Sequence, residues 1–312
     1  MLYLALSNAS VYAPIMFAGS FLIAFLSIKL FMKVLPKDHG RDFAVNGQLS
    51  EGKPRGAGII MITSFVLCAA LFVPFTAETA IYMVLIYAAM LTGFFDDAAQ
   101  KPWGELKKGL LDLVISIGVT VCFLMNNSTD INIFGYSFHI PVVIFALLSI
   151  ILVWASINVT NCCDGVDGMC GTLSIVTLLL FILHGLPTTE RVLSNIMIMT
   201  LIAYLWFNSS PSKLLMGDAG SRALGVFLAI VSLRSGDPFL FIAFASMIIV
   251  DGGLGLLKLS CRRFLKMKSF MENIRTPLHD HWRKNLGVSD TQVVLRFAAI
   301  ELVIGAALLY II

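Results

Sequence analysis

Charge is what this 312-residue sequence has least of. Only 13% of its residues are Asp, Glu, Lys or Arg, about half the share of a soluble globular chain. With 58% of residues hydrophobic and a mean hydropathy of +0.88, a water-soluble domain of this length is excluded and a multi-span membrane protein is indicated. Paired CxxC spacing is also missing. The six cysteines (Cys68, Cys122, Cys162, Cys163, Cys170 and Cys261) fall in apolar runs or in loops read below as cytoplasmic, which argues against a disulfide framework and against a zinc-thiolate site. There is no GxxxxGK[ST] phosphate loop, no GxGxxG turn and no HExxH pair, so the usual carriers of P-loop, dinucleotide and zinc-peptidase chemistry are lacking. No internal repeat, low-complexity tract or flexible linker breaks the chain.

What the chain does have is a succession of apolar runs. Stretches of roughly 17 to 25 residues can cross a bilayer as helices, and ten approximate candidates lie at 13–34, 57–75, 79–95, 109–126, 140–157, 171–187, 192–208, 220–234, 238–260 and 293–312. The first has no basic residue before it and is too long for a signal-peptide core, so it reads as a span. The expected fold is an all-α integral membrane bundle of about ten transmembrane helices, forming one polytopic domain over 1–312. A short external β-hairpin fits near 130–139.

Basic residues orient the bundle. Alternate loops hold Lys33, Lys37, Arg41, Lys53 and Arg55, then Lys101, Lys107 and Lys108, then Lys213 and Arg222, then Arg262, Arg263, Lys266, Lys268, Arg275, Arg283 and Lys284, whereas the opposite loops hold Arg191 and Arg234. By the positive-inside rule the first set faces the cytoplasm and both termini are external.

Acids gather on the same face. "GFFDDAAQKPWGELKK" (93–108), "NCCDGVDGMCG" (161–171), "NSSPSKLLMGDAGS" (208–221) and "RTPLHDHWRKN" (275–285) all occupy predicted cytoplasmic loops. Solvated loops carry acids too, but these are bracketed by glycine, amide or apolar residues at the mouths of spans. Carboxylates there are costly unless paired or bound to a cation. Oxygen ligands favour a hard divalent ion such as Mg²⁺, which keeps positions open for phosphate.

The motifs differ in what each can do. Asp96 and Asp97 are adjacent, so in a helix they aim apart: one could hold the metal or take a proton while the other orients it, and a plain helix stop is the bland alternative. Lys107 or Lys108 suits phosphate, although a charge anchor explains either one. Asn158 and Asn161 share a helix face, as Asp164 and Asp167 would, and Gly165 permits close backbone approach. Asp218 lies between glycines in "MGDAGS", with Ser221 and Arg222 at the start of the next span, where helix N-terminal amides attract phosphate. His279 and His281 flank Asp280 in a basic loop that suits phosphate or sugar.

In this order, "GFFDD", "NVTNCCDGVDG" and "FNSSPSKLLMGDAGS" resemble the motifs of the polyprenyl-phosphate N-acetylhexosamine-1-phosphate transferase superfamily. Within it, "RTPLHDHW", the following "GVSDTQVVLRF" and the upstream "EGKPRGAGI" are most similar to the branch acting on muramoyl-pentapeptide. That branch carries three histidines where His279, Asp280 and His281 stand, and a uracil-stacking phenylalanine where Leu215 stands. The resemblance implies Mg²⁺-dependent transfer of phospho-MurNAc-pentapeptide from its UDP donor to undecaprenyl phosphate, giving lipid I and UMP in a bacterial cytoplasmic membrane. It implies Asp218 as metal ligand, Asp96 or Asp97 as the group acting on the lipid phosphate, and Asn158, Asn161, Asp164, Gly165, Asp167, Asn208 and Leu215 around the nucleotide. His279 and His281 would meet phosphate or sugar, with Lys107 or Lys108 at the pyrophosphate. A homodimer is compatible with this family; a nucleic-acid partner is not expected. A UDP-GlcNAc-type donor is the alternative within the superfamily. A cation-coupled transporter is the alternative outside it, but such a protein keeps its acids near the bilayer midplane, where here only Asp251 lies, an acid within a span that reads as a helix-packing or groove residue.

Overall fold

The computed structural model describes residues 9–38, 40, 50–99, 101, 103–133, 135–267 and 269–312. Arg41 and Lys268 of the basic loops lie outside these residues. In chain order the elements are α1 (Ala9–Phe31), a 3-10 turn (Met32–Val34), α2 (Gly58–Phe72), α3 (Ala77–Asp97) and α4 (Glu105–Asn126). The antiparallel strands β1 (Asp130–Ile133) and β2 (Tyr136–His139) follow, then α5 (Val142–Cys163), α6 (Met169–His184), α7 (Thr188–Asn208) and α8 (Gly217–Arg234). The chain ends with α9 (Leu240–Phe244), α10 (Ser246–Phe264), α11 (Leu278–Asn285) and α12 (Asp290–Ile311). The hairpin falls where the sequence placed it, with Asp130 opposite His139 and Ile133 opposite Tyr136.

Six segments among the described residues are long and apolar enough to cross a membrane: Val11–Val34, α3, α4, α5, α7 and α12. The apolar helices α2 and α6 are shorter. Polarity separates α8 and α10 from this set, and the packing of α8 accounts for its composition. Every residue of α8 from Gly217 to Leu233 is buried, so this helix meets protein rather than lipid and can carry Asp218, Ser221 and Arg222 within a hydrophobic bundle. The neighbours of α8 include α2, α3 and α5.

Glycines allow those neighbours to close in. A Cβ on Gly58 of α2 would lie 2.0 Å from the Gly220 nitrogen, one on Gly93 of α3 2.2 Å from the Asp218 carbonyl oxygen, and one on Gly225 of α8 2.7 Å from the Ile157 Cα. Small residues at such crossings let backbones touch. Gly93→Ala would therefore force α3 away from α8, and we expect a loss of about 1–3 kcal/mol, seen as a lower Tm in detergent. An unchanged Tm would show that the crossing has slack.

The predicted span at 238–260 is corrected to two helices. The break is at Ala245 (φ −110°, ψ 29°), where the new helix start exposes backbone donors that need partners. Glu301 of α12 supplies one: its Oε2 accepts the Met247 N–H at 3.1 Å, and its Oε1 accepts the Thr177 hydroxyl at 3.1 Å. This fully buried acid caps a helix from across the bundle, a contact that local sequence does not announce.

Helix ends alternate, so the four acidic and His-bearing motifs share one end of the bundle. A clasp occupies the other end. There Arg234 of α8 meets Glu190 of α7 at 2.7 Å and Glu78 of α3 at 3.4 Å, and donates to Asn127 after α4.

Candidate functional site

The site begins where α3 stops. Asp96 and Asp97 leave the helix in different directions, as adjacent residues on a helix must. Asp96 accepts the Trp103 N–H at 2.6 Å on Oδ1 and pairs through Oδ2 with the Lys108 ammonium. Asp97 takes the Arg55 Nε at 2.8 Å on one oxygen and the Ala219 N–H at 3.1 Å on the other. The turn "MGDAGS" fits around Asp97 because Gly217 is left-handed (φ +71°) and a Cβ there would lie 2.3 Å from the Asp97 Oδ2.

Asp218 occupies the middle. Its Oδ2 lies 3.0 Å from Lys108 Nζ and 3.4 Å from the Asn161 Nδ2, and its Oδ1 lies 3.8 Å from Arg55. Asn161 in turn accepts the Ser221 hydroxyl at 3.0 Å. Three carboxylates from α3 and α8 are thus joined through two cations. Arg55 also pairs with Asp38 at 2.9 Å, and Asp38 accepts the Ser50 hydroxyl at 2.7 Å. Burial disfavours charge on Arg55, but Asp97, Asp38 and Asp218 outweigh it and hold its pKa above the ordinary arginine value. Burial likewise opposes the Asp38 carboxylate, and the contacts from Ser50, Arg55 and the Gly40 N–H bring its pKa below the usual one.

Neighbouring lysines separate cleanly. Lys108 joins the acids, whereas Lys107 lies over the Trp103 ring, 3.2 Å from its centroid. The asparagines separate too. Asn158, one turn before Asn161, donates to the Trp154 carbonyl at 2.8 Å and reaches Asp112 at 3.5 Å. Asp112 is paired with Arg222, and both are buried, forming a second charged layer beneath the first.

Around these, the glycine-rich loop is stapled to the loop before α8. Asn208 accepts the Gly168 N–H at 2.8 Å and donates to the Leu214 carbonyl at 2.9 Å. Asp167 accepts the Ser212 N–H at 2.9 Å, with Lys53 Nζ at 4.0 Å. Asp164 ends α5, half-buried, and Gly165 beside it is exposed. Leu215 is half-buried, and its backbone bonds Pro54 and Ala57, tying the "KPRGA" segment to the site. His279 packs against Gly165, whereas His281 accepts the Arg275 N–H at 3.3 Å within its own loop.

Arg55, Asp38, Lys53, Asp112 and the Arg222 contact are the parts that sequence reasoning missed. Arg55 had a visible signal in "KPRGA", where it was counted only as a loop charge. Asp112 had none, being an acid inside an apolar run.

Among the described residues no group of three or more Asp, Glu, His or Cys side chains takes metal-ligand geometry. Lys108 and Arg55 stand between the acids instead. The donor set still fits a hard cation, because oxygens of Asp96 and Asp218 already converge on one positive centre, the Lys108 ammonium.

Acids, cations and amides collect at one end of an apolar helical bundle, and the model of glycosyl transferase family 4 matches residues 79–236, which makes the chain a glycosyl transferase of the phosphoglycosyl-transferring kind. That match includes Asp96, Asp97, Lys108, Asn161 and Asp218 and ends before His279. The chain is 38% identical to the phospho-N-acetylmuramoyl-pentapeptide-transferase of Treponema pallidum, over 86% of this chain and 80% of that one. The Staphylococcus saprophyticus protein of the same name is 28% identical over 93% and 96%, and that of Fervidobacterium nodosum 27% over 82% and 81%. The chain belongs to the phospho-N-acetylmuramoyl-pentapeptide-transferase family, within glycosyl transferase family 4.

Proposed function

We propose that this protein transfers phospho-MurNAc-pentapeptide from UDP-MurNAc-pentapeptide to undecaprenyl phosphate, forming lipid I and releasing UMP at the cytoplasmic face of a bacterial inner membrane. The observation that carries the reading is the convergence of Asp96, Asp97 and Asp218 on Lys108 and Arg55 at the end of the bundle that also holds Asn161, Asp167, Asn208 and His279. The names of the relatives supply the donor. The basic loops lie at this same end, which supports a cytoplasmic site, and the segments beyond the six apolar ones would complete the bundle of about ten spans.

Transfer requires an oxygen of the lipid phosphate to attack the sugar-bearing β-phosphorus while the bond from that phosphorus to the bridging oxygen breaks and UMP leaves with the oxygen. Phosphoryl transfer depends mainly on positioning and on neutralising charge. Lys108 and Arg55 provide fixed positive charge for the pyrophosphate. Asp97, braced by Arg55 and the Ala219 N–H, and Asp96, braced by the Trp103 N–H, are the groups available to orient or deprotonate the lipid phosphate. Asp218 would hold Mg²⁺, which when bound would supply charge neutralisation for the phosphate oxygens. Asn161, Asp167 and Asn208 shape the loops that would receive the nucleotide.

Purified protein in detergent, given undecaprenyl phosphate and Mg²⁺, is expected to release UMP from UDP-MurNAc-pentapeptide and not from UDP-GlcNAc. Release from UDP-GlcNAc alone would reassign the donor. UMP from neither, in folded protein, would remove the transferase reading.

A further inference from the structure

The chemistry above makes no use of Asp251. This residue lies in the second turn of α10 and is fully buried. A carboxylate so placed needs partners, and both of its oxygens go to a single residue. Oδ1 accepts the backbone N–H of His279 at 2.7 Å, and Oδ2 lies 2.7 Å from the His279 Nδ1.

Two close backbone approaches set this pair beside the site. Gly252, next in α10, would place a Cβ 2.3 Å from the Val159 carbonyl oxygen, so α10 meets α5 backbone to backbone between Asn158 and Asn161. At the other edge of the ring, a Cβ on Gly165 would lie 2.2 Å from the His279 Nε2. The Asp280 carboxylate is 3.8 Å from the same nitrogen. His279 is therefore held by one nitrogen on a buried acid, while the other packs closely against Gly165 of "DGVDG". A carboxylate is only an acceptor, so it requires a proton on Nδ1 and fixes the ring orientation, as acids behind functional histidines commonly do.

We infer that Asp251 is a positioning residue for the donor substrate: it locks His279 so that Nε2 meets the phospho-sugar at the Gly165 edge. The inference rests on the transferase reading. It makes donor use, rather than lipid use, the sensitive quantity.

The test compares Asp251→Asn, His279→Ala and the double variant in the UMP assay, with each substrate varied in turn. Asn can keep a bond to the backbone N–H but offers an N–H to Nδ1 in place of the carboxylate. Asp251→Asn should lower kcat/KM for the UDP donor by about tenfold or more, leave KM for the lipid phosphate within about twofold, and add almost nothing in the His279→Ala background, since coupled residues are non-additive. Gly165→Ala, which displaces the ring from its other edge without touching Asp251, should give the same donor-specific loss and covers the case in which Asp251→Asn does not fold. Independent, additive losses, or unchanged donor kinetics in either variant, would overturn the inference while leaving the transferase reading intact. A wild type that releases no UMP would overturn that reading, and the inference with it.

Discussion

Asp218→Asn is expected to lower UMP release by about 10²- to 10³-fold, the usual cost of removing one preorganised charge from a polar site, with the fold retained. The substitution keeps shape and removes the charge that Lys108 and Arg55 share. Lys108 would turn to Asp96 alone, and Arg55 to Asp97 and Asp38, so the cations would be drawn from the centre toward the α3 edge. The helix start itself should hold, because the Gly58 N–H donates to the Met216 carbonyl at 3.0 Å and the Gly93 crossing does not involve the side chain. UMP release, measured beside a thermal melt of the same preparation, checks both halves. Turnover within a few-fold of wild type would show that Asp218 is a structural counter-charge, and a collapsed melt would show that it is needed for folding.

The largest effect on stability is expected from Arg222→Leu. Arg222 is 1% exposed, and Asp112, its partner across α4 and α8, is 2% exposed. Removing one member of such a pair strands a buried charge and typically costs about 3–5 kcal/mol, whereas replacing both by apolar residues is often neutral. Arg222→Leu should accordingly melt well below wild type, and Asp112→Leu with Arg222→Leu should recover most of the loss. The double variant still deprives Asn158 of an acceptor at 3.5 Å, so its stability should return further than its donor kcat/KM. Equal melting of the single and double variants would show that the pair is not the source of the loss.

Much of the site was legible because its chemistry is dense in sequence. Asp96, Asp97, Asn161 and Asp218 stand out as polar residues at the ends of apolar runs, and in the structure they do come together. The order of contact was legible only where helix geometry dictates it. Asp96 and Asp97 had to diverge; so did Lys107 and Lys108, but nothing local says which lysine turns inward and which lies on Trp103. Arg55 was obscured because a basic residue in a loop read as cytoplasmic already has an explanation. Asp112 and Arg222 are 110 residues apart, a separation about which periodicity says nothing. The break at Ala245 escaped for the same reason: the partner that receives the Met247 N–H at the new helix start is the Glu301 carboxylate, which comes from another helix.

The clasp around Arg234 bears on how a lipid could enter. It ties the ends of α3, α4, α7 and α8 together on the side away from the acids. At the acid end Lys108 of α4 bridges Asp96 of α3 and Asp218 of α8, so these three helices are braced at both ends, and a lipid phosphate that reaches Lys108 would have to do so without parting them.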